Sequence, residues 1–182
     1  MNDITPSNFV VPEIVVSHFH LKIGDVVADF GAGSGYFLKA LSTRVGPDGR
    51  VYACEIQKRL VEKVSEQARQ LGLSNIYPLW CDLEESQGIK IKDGVVDVGL
   101  LINTLFQIQD KETAIAEMAR TIRKGGRLVL IDWTDSASGL GPAAEHLVLP
   151  GEVSALCESN GFVLEQEFPA GGHHYGVAFR KV

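Results

Sequence analysis

The sequence predicts an α/β protein in which seven short strands form a mostly parallel sheet, helices cover both faces, and an antiparallel hairpin closes the C-terminus. Three observations predict it. Short apolar runs bounded by Gly and Asp alternate with segments of helical spacing along the 182-residue chain. The runs are continuously apolar, as in strands buried on both faces, rather than alternating as in half-exposed ones. The tail departs from the alternation with two strand-like stretches either side of Pro169-Ala-Gly-Gly172, a hairpin pattern.

Taken in order, the first strand is residues 26–30. Residues 34–43 carry Phe37, Leu38 and Leu41 at helical spacing. Gly46-Pro47-Asp48-Gly49 is a turn, because Pro presets one φ and Gly permits a positive one. Residues 51–54 are the second strand. Residues 57–71 place Leu60, Val61, Val64, Ala68 and Leu71 on one stripe, with Gly72 set to stop the helix. A short strand at 75–80, a polar loop and a central strand at 95–102 follow. Asp110 reads as the N-cap of a helix over 111–123, with Ile115, Met118, Ala119 and Ile122 inward and Gly125-Gly126 as its end. The next strand is 127–133. Residues 136–150 are small and polar and read as a loop that serves as a lid. Residues 152–160 form a short helix closed by Gly161, and 162–168 with 175–180 make the hairpin.

Composition sets outer bounds. Lys plus Arg number 17 against 23 Asp plus Glu, a net charge of −6, which opposes polyanion binding as a main activity. Hydrophobic residues at 45% and charged ones at 22% are ordinary for a globular domain. Cys54, Cys81 and Cys157 have no CxxC spacing and specify neither a disulfide framework nor a zinc site. The start lacks a basic-then-apolar leader. The most apolar stretch, residues 95–102, falls short of the ~20 residues that cross a bilayer. These features predict a cytoplasmic protein with no membrane contact.

Candidate chemistry gathers at the carboxyl ends of successive strands. Asp29-Phe-Gly31-Ala32-Gly33-Ser34-Gly35 joins the first strand to the first helix, where glycines let backbone approach a ligand closely. A dinucleotide fingerprint needs a third small residue at position 36, where Tyr36 stands. The leading Asp29 would repel a pyrophosphate and suits an ammonium or sulfonium instead. Glu55 ends the second strand, where a carboxylate accepts both hydroxyls of a ribose. Cys81-Asp82-Leu83 ends the third, with Asp82 set to accept an adenine amine and Leu83 to edge the ring. Asn103-Thr104 ends the fourth, where strand order should reverse and ligands of open α/β sheets bind.

With those residues in view, the chain resembles class I S-adenosylmethionine-dependent methyltransferases. It is most similar to the small-molecule group related to ubiquinone/menaquinone and arsenite methyltransferases. The likeness runs from a helix around residues 12–21 through Val27-Ala-Asp-Phe-Gly-Ala-Gly-Ser-Gly-Tyr-Phe37, Gly49-Arg-Val-Tyr-Ala-Cys-Glu55, residues 96–106 and 120–133, and the late Gly161-Phe and His174-Tyr-Gly segments. It implies a Rossmann-like sheet in one domain over 1–182. Residues 1–24 would be an N-terminal segment or lid, 25–135 the cofactor-binding core, and 136–182 the lid loop, helix and hairpin. By the resemblance, S-adenosylmethionine is held by Asp29, Gly31, Ala32, Gly33, Ser34, Gly35, Glu55, Ile56, Cys81, Asp82, Leu83 and Asn103. The implied reaction is methyl transfer to a small molecule, with release of S-adenosylhomocysteine. Partners are then a small-molecule acceptor, with no nucleic acid and no membrane, and a homodimer is allowed.

Departures narrow the expectation. Phe106-Gln107 stands where many relatives have His-His, and Thr104-Leu105 replaces the prolines of nucleobase methyltransferases. The cysteine positions match the arsenite enzymes poorly. No metal-ligand cluster is visible. His146, His173 and His174 are candidate bases, but no spacing selects one; His18 and His20 flank the N-terminal helix. Asp97 reads as structural, and Trp133 as packing under the lid or lining an acceptor pocket that residues 9–19, 103–106 and the loop after Trp133 would form. Rival readings are a dinucleotide-dependent dehydrogenase, a non-catalytic S-adenosylmethionine-binding partner, and a methyltransferase acting on protein or RNA.

Overall fold

Val26–Phe30 (β1), five residues with four of them buried, lies near the middle of a seven-stranded sheet. In the computed structural model, which describes residues 10–182, β1 pairs in parallel with Arg50–Glu55 (β2) on one side and Val96–Ile102 (β4) on the other. Ile76–Trp80 (β3) extends the sheet beyond β2, and Ile122–Trp133 (β5) extends it beyond β4, all parallel. Phe162–Pro169 (β6) and His174–Lys181 (β7) form the hairpin, with β7 inserted antiparallel against β5. The order is β3-β2-β1-β4-β5-β7-β6, so the direction of winding reverses between β1 and β4. The fold class expected from the sequence holds.

Alternation along the strands builds two cores. Ala28, Phe30, Leu101, Leu128 and Leu130 face a cluster shared with Lys111–Thr121 (α4) and Pro150–Ser159 (α5). Val27, Ala53, Val98, Val129 and Ile131 face the opposite cluster. That second cluster takes in Leu38–Val45 (α2), Val64 and Ala68 of Lys58–Gln70 (α3), and the N-terminal turn. The N-terminal helix is shorter than the resemblance implied. Pro12–Val15 (α1) passes into a 3₁₀ turn over Val16–Phe19, and His20 at φ 52° ends it. Residue 9 of the expected pocket wall, like the rest of 1–9, lies outside the described residues.

Two boundaries move for stated reasons. Helix α2 starts at Leu38 and not at position 34, because Gly33 and Gly35 hold φ of 55° and 84° in the preceding loop. Helix α4 ends at Thr121, and β5 begins at once, so Gly125-Gly126 lie within the strand rather than closing the helix. Lys181, from the far end of the chain, donates to the carbonyls of Ala119 (2.6 Å) and Ile122 (2.8 Å) and satisfies the helix end. Gly126 meanwhile lets backbone pass close to the Asp97 carbonyl. Lys181→Met is expected to lower stability by about 1.5–3 kcal/mol, since two charge-assisted bonds vanish. A lower urea midpoint with unchanged m-value would register it.

Other expectations hold as drawn. Asp110 caps α4, its carboxylate accepting from Thr113 N (3.0 Å) and Thr113 Oγ1 (2.8 Å). Asp97 is structural, accepting from Val26 N (2.8 Å) and Arg123 Nε (2.6 Å). The 136–150 segment is not open loop throughout. It contains 3₁₀ turns at Ala137–Gly139 and Ala144–His146, and it is tied to the sheet where Tyr175 Oη donates to Val148 O (2.8 Å).

Candidate active site

The reversal in strand order leaves a crevice at the carboxyl end of β1, and the glycine loop fills its mouth. Gly31 N and Ala32 N both donate to Cys54 O at 2.9 Å, which fastens the loop to the end of β2. Gly31 holds φ +79°, and a side chain there would also run into Thr104, whose Oγ1 lies 2.7 Å from the position of a Cβ, so only glycine fits. Gly33 N donates to Glu55 Oε2 (3.0 Å), and Gln57 N donates to Glu55 Oε1 (2.8 Å). Glu55 therefore does more than end a strand: one carboxylate shapes both the glycine loop and the turn after β2.

The remaining strand ends complete the rim. Asp82 Oδ1 accepts from Glu84 N (3.0 Å), and Glu84 Oε2 accepts from Gln109 N (3.2 Å) and Asp110 N (3.0 Å), so the turn after β3 is braced against the start of α4. Asn103 sits at φ 52°, and its Oδ1 is buried without a hydrogen-bond partner. Together these segments enclose a cleft of about 480 Å³. Eleven of the twelve residues singled out by resemblance line it: Asp29, Gly31, Ala32, Gly33, Ser34, Glu55, Ile56, Cys81, Asp82, Leu83 and Asn103. Gly35 does not. A Cβ there would meet Leu38 Cδ1 at 2.6 Å, so that glycine serves packing of the loop on α2.

The electrostatics are uneven. Asp29 is 3% exposed, and burial, aided by the nearby Glu55 carboxylate, pushes its pKa up to about 7. The paired thiols of Cys54 and Cys81 shift in opposite directions: hydrogen bonding to its neighbour raises Cys54 and lowers Cys81. A buried carboxyl poised near neutrality in a cleft marks a place where a cationic ligand has most to gain.

Sequence reading missed part of the wall. Tyr36, Phe37, Leu60, Glu84, Gln107 and Ile108 also line the cleft, beside the expected Thr104. Tyr36, noted above only for excluding a dinucleotide, is 66% exposed and stands edge-on to Phe37. Its place beside the glycines was a usable signal; nothing local marked Leu60 or Ile108. Of the candidate bases none lines the cleft. His173 Nδ1 lies 2.9 Å from Asp135 Oδ1, and His174 is buried against Trp133. Trp133 also packs against Gly141, under the 136–150 segment. Among the described residues no group of three or more His, Cys, Asp and Glu could hold a metal, and no helix is long and apolar enough to cross a membrane.

A family model described as a methyltransferase domain matches residues 21–175. The chain belongs to the methyltransferase-domain family. A SAM-dependent methyltransferase from Aquifex aeolicus shares 29% identity and superposes with a TM-score of 0.86, covering 98% of this chain and 94% of that one. A putative type 11 methyltransferase from Sulfolobus solfataricus shares 25% identity at a TM-score of 0.76, covering 96% of this methyltransferase-domain chain and 95% of that one. A ubiquinone/menaquinone biosynthesis C-methyltransferase of Bordetella avium is 27% identical over 146 residues, which cover 79% of this chain and 55% of that protein. The chain spans about half the length of such curated relatives. The resemblance drawn from the residues is thus borne out at the level of the family.

Proposed function

We infer that the protein transfers the methyl group of S-adenosylmethionine to a small-molecule acceptor and releases S-adenosylhomocysteine. The observation that carries this reading is the buried, near-neutral Asp29 beneath a glycine loop, with Glu55, Asp82 and the partnerless Asn103 Oδ1 on the same cleft. The donor set fits the cofactor. The loop 31–35 offers backbone to its methionine and ribose portions. Glu55 retains lone pairs for the ribose hydroxyls beyond those given to Gly33 and Gln57. Asp82 would accept from the adenine amine and Leu83 would edge its ring. Asn103 Oδ1 gains in the ammonium the donor it lacks.

When bound, the cofactor supplies an activated methyl on a sulfonium. The chain then has to orient an acceptor in line with it and exclude water, effects worth roughly 7–11 kcal/mol of barrier. The absence of a histidine from the cleft wall is compatible with that division of labour. A small organic acceptor with an apolar body is supported by the Bordetella relative's name, which specifies C-methylation in ubiquinone/menaquinone biosynthesis, and by the net charge of −6, which disfavours RNA.

A second reading, in which the chain binds S-adenosylmethionine without transferring its methyl group, has one observation in its favour. A [4+2]-cyclase shares this fold at a TM-score of 0.77 and 14% identity, so the architecture does not by itself dictate methyl transfer. The deciding experiment has two parts. Calorimetric titration compares S-adenosylmethionine with NAD, and methyl-tritiated S-adenosylmethionine is then incubated with the protein and cell extract. Binding of the first ligand and label in the low-molecular-weight fraction are expected. Binding of NAD alone, or label confined to protein or RNA, overturns the reading. Glu55→Ala is expected to weaken S-adenosylmethionine binding by about 1.5–3 kcal/mol, read by the same calorimetry; a change within error would return Glu55 to a purely structural place.

A further inference from the structure

Two thiols stand in the cleft wall with no part in the methyl-transfer reading. Cys54 lies one residue before Glu55 in β2, and Cys81 follows β3 one residue before Asp82. Both are free cysteines, 0% and 1% exposed, and both line the cleft. In the β2–β3 register Cys54 stands opposite Leu79, two residues before Cys81, so alternation turns both side chains to one face. There the thiols meet and hydrogen-bond, among Phe30, Ile89 and Leu105. Their backbones are pinned. Cys54 O accepts from Gly31 N and Ala32 N at 2.9 Å, and Cys81 N donates to Glu55 O at 3.1 Å.

Register decides what such a pair can do. Two residues along and one strand across puts the Cα atoms about 8 Å apart, beyond the ~7 Å that a disulfide bridges without backbone movement. An ion between the sulfurs needs no such movement, since two metal–sulfur bonds of about 2.3 Å each span about 4.6 Å. Zinc would want four ligands, and among the described residues no group of three or more His, Cys, Asp and Glu could hold a metal. Cys157, the third cysteine, lies on α5 and does not line the cleft. Two thiolates in apolar surroundings suit a soft ion satisfied by two ligands, which among biological cations is cuprous copper.

We propose that Cys54 and Cys81 form a two-coordinate site for Cu(I), reached through the cofactor cleft. Binding replaces two S–H bonds by two Cu–S bonds, and both protons pass to solvent; no electron is transferred. The complex carries one net negative charge, which Lys90 offsets, since its backbone N–H and its ammonium both act on Cys81. The hydrogen bond from Cys54 lowers the Cys81 pKa, so Cys81 is the thiol that ionises first and captures the ion. A ligand that fills the cleft covers both thiols, so S-adenosylhomocysteine shields the site. The site stands apart from the methyl-transfer reading, and only the shielding rests on it.

The test is anaerobic competition for Cu(I) between the protein and bicinchoninate, with X-ray absorption at the copper edge on the loaded wild type. One Cu(I) per chain with two sulfur neighbours is expected. Cys54→Ala and Cys81→Ala should each lower affinity at least about a hundredfold, because a lone thiol loses chelation. Cys157→Ala, away from the cleft, should change it by less than about twofold. S-adenosylhomocysteine at about ten times its Kd should slow uptake about tenfold. No uptake, three or more sulfur neighbours, or undiminished affinity in either cleft variant would overturn the site, and the wild-type spectrum decides even where a variant fails to fold. Uptake unslowed by bound S-adenosylhomocysteine would overturn entry through the cleft. Failure of S-adenosylhomocysteine to bind the metal-free protein would instead overturn the methyl-transfer reading, with the copper measurements still deciding the site.

Discussion

Asp29→Asn is expected to weaken S-adenosylmethionine binding at least about tenfold at neutral pH and above, while making the unliganded protein more stable there. Both effects follow from one buried carboxyl. Its pKa stands near 7 in the folded chain against 3.8 for a free side chain, chiefly because burial penalises the charge and secondarily because Glu55 is close. A raised folded pKa means that folding favours the protonated form. Its contribution to stability is full below about pH 4 and is lost as pH climbs through about 7. Above that the ionised carboxyl costs on the order of 4 kcal/mol, which a neutral amide of the same shape avoids.

A cationic ligand reverses the preference and draws the proton off Asp29. Binding should therefore release about half a proton near pH 7 and closer to one about a unit below it, and affinity should rise with pH up to about 7 and level off above it. Asp29→Asn should show neither. Calorimetry in buffers of different ionisation enthalpy counts the protons, and an identical proton count in the variant would remove Asp29 from the site.

Gly31→Ala is expected to destabilise the fold by about 2–4 kcal/mol and to abolish measurable cofactor binding. The added methyl meets Thr104 Oγ1 at 2.7 Å and Cγ2 at 2.8 Å, and φ +79° is unfavourable for any residue with a Cβ. The loop would leave Cys54 O, to which Gly31 N and Ala32 N now donate. Gly33→Ala is a contrast two residues away. Its Cβ finds only Gly31 O, at 4.0 Å, so the cost to the fold is the strain of φ +55° alone, about 1–2 kcal/mol. That methyl also stands on the wall of the cleft, where ligand affinity falls. Urea unfolding and calorimetry on the pair separate fold from ligand. Adding Thr104→Ala to Gly31→Ala should restore part of the lost stability, and no recovery would mean that the collision with Thr104 is not the cause.

Much of the site was legible because its parts are local. A glycine loop after an apolar run, with an acid before it and further acids at later strand ends, is visible without coordinates. Parallel β-α alternation forces those ends onto one rim. What stayed hidden depends on partners distant in sequence. The start of α2 could not be placed from spacing, since apolar periodicity runs on through a loop that the φ angles of Gly33 and Gly35 exclude from the helix. The join of α4 to β5 looked like a glycine stop because Lys181, which caps it, comes some sixty residues later. Glu55 read as a ligand group, and only the folded chain reveals it as the acceptor that shapes the loop.

The amino-acid order alone determined the class of fold, the alternation of strands and helices and the identity of the acids at the strand ends. Each of these follows from periodicity and turn chemistry within a few residues. Tertiary structure decided which groups are buried and which lack partners: Asp29 shifted toward neutrality, Asn103 with an unanswered carbonyl, His174 laid on Trp133 by antiparallel register. Desolvation and hydrogen-bond satisfaction are properties of an environment, and that environment is assembled from segments that meet only when the chain folds.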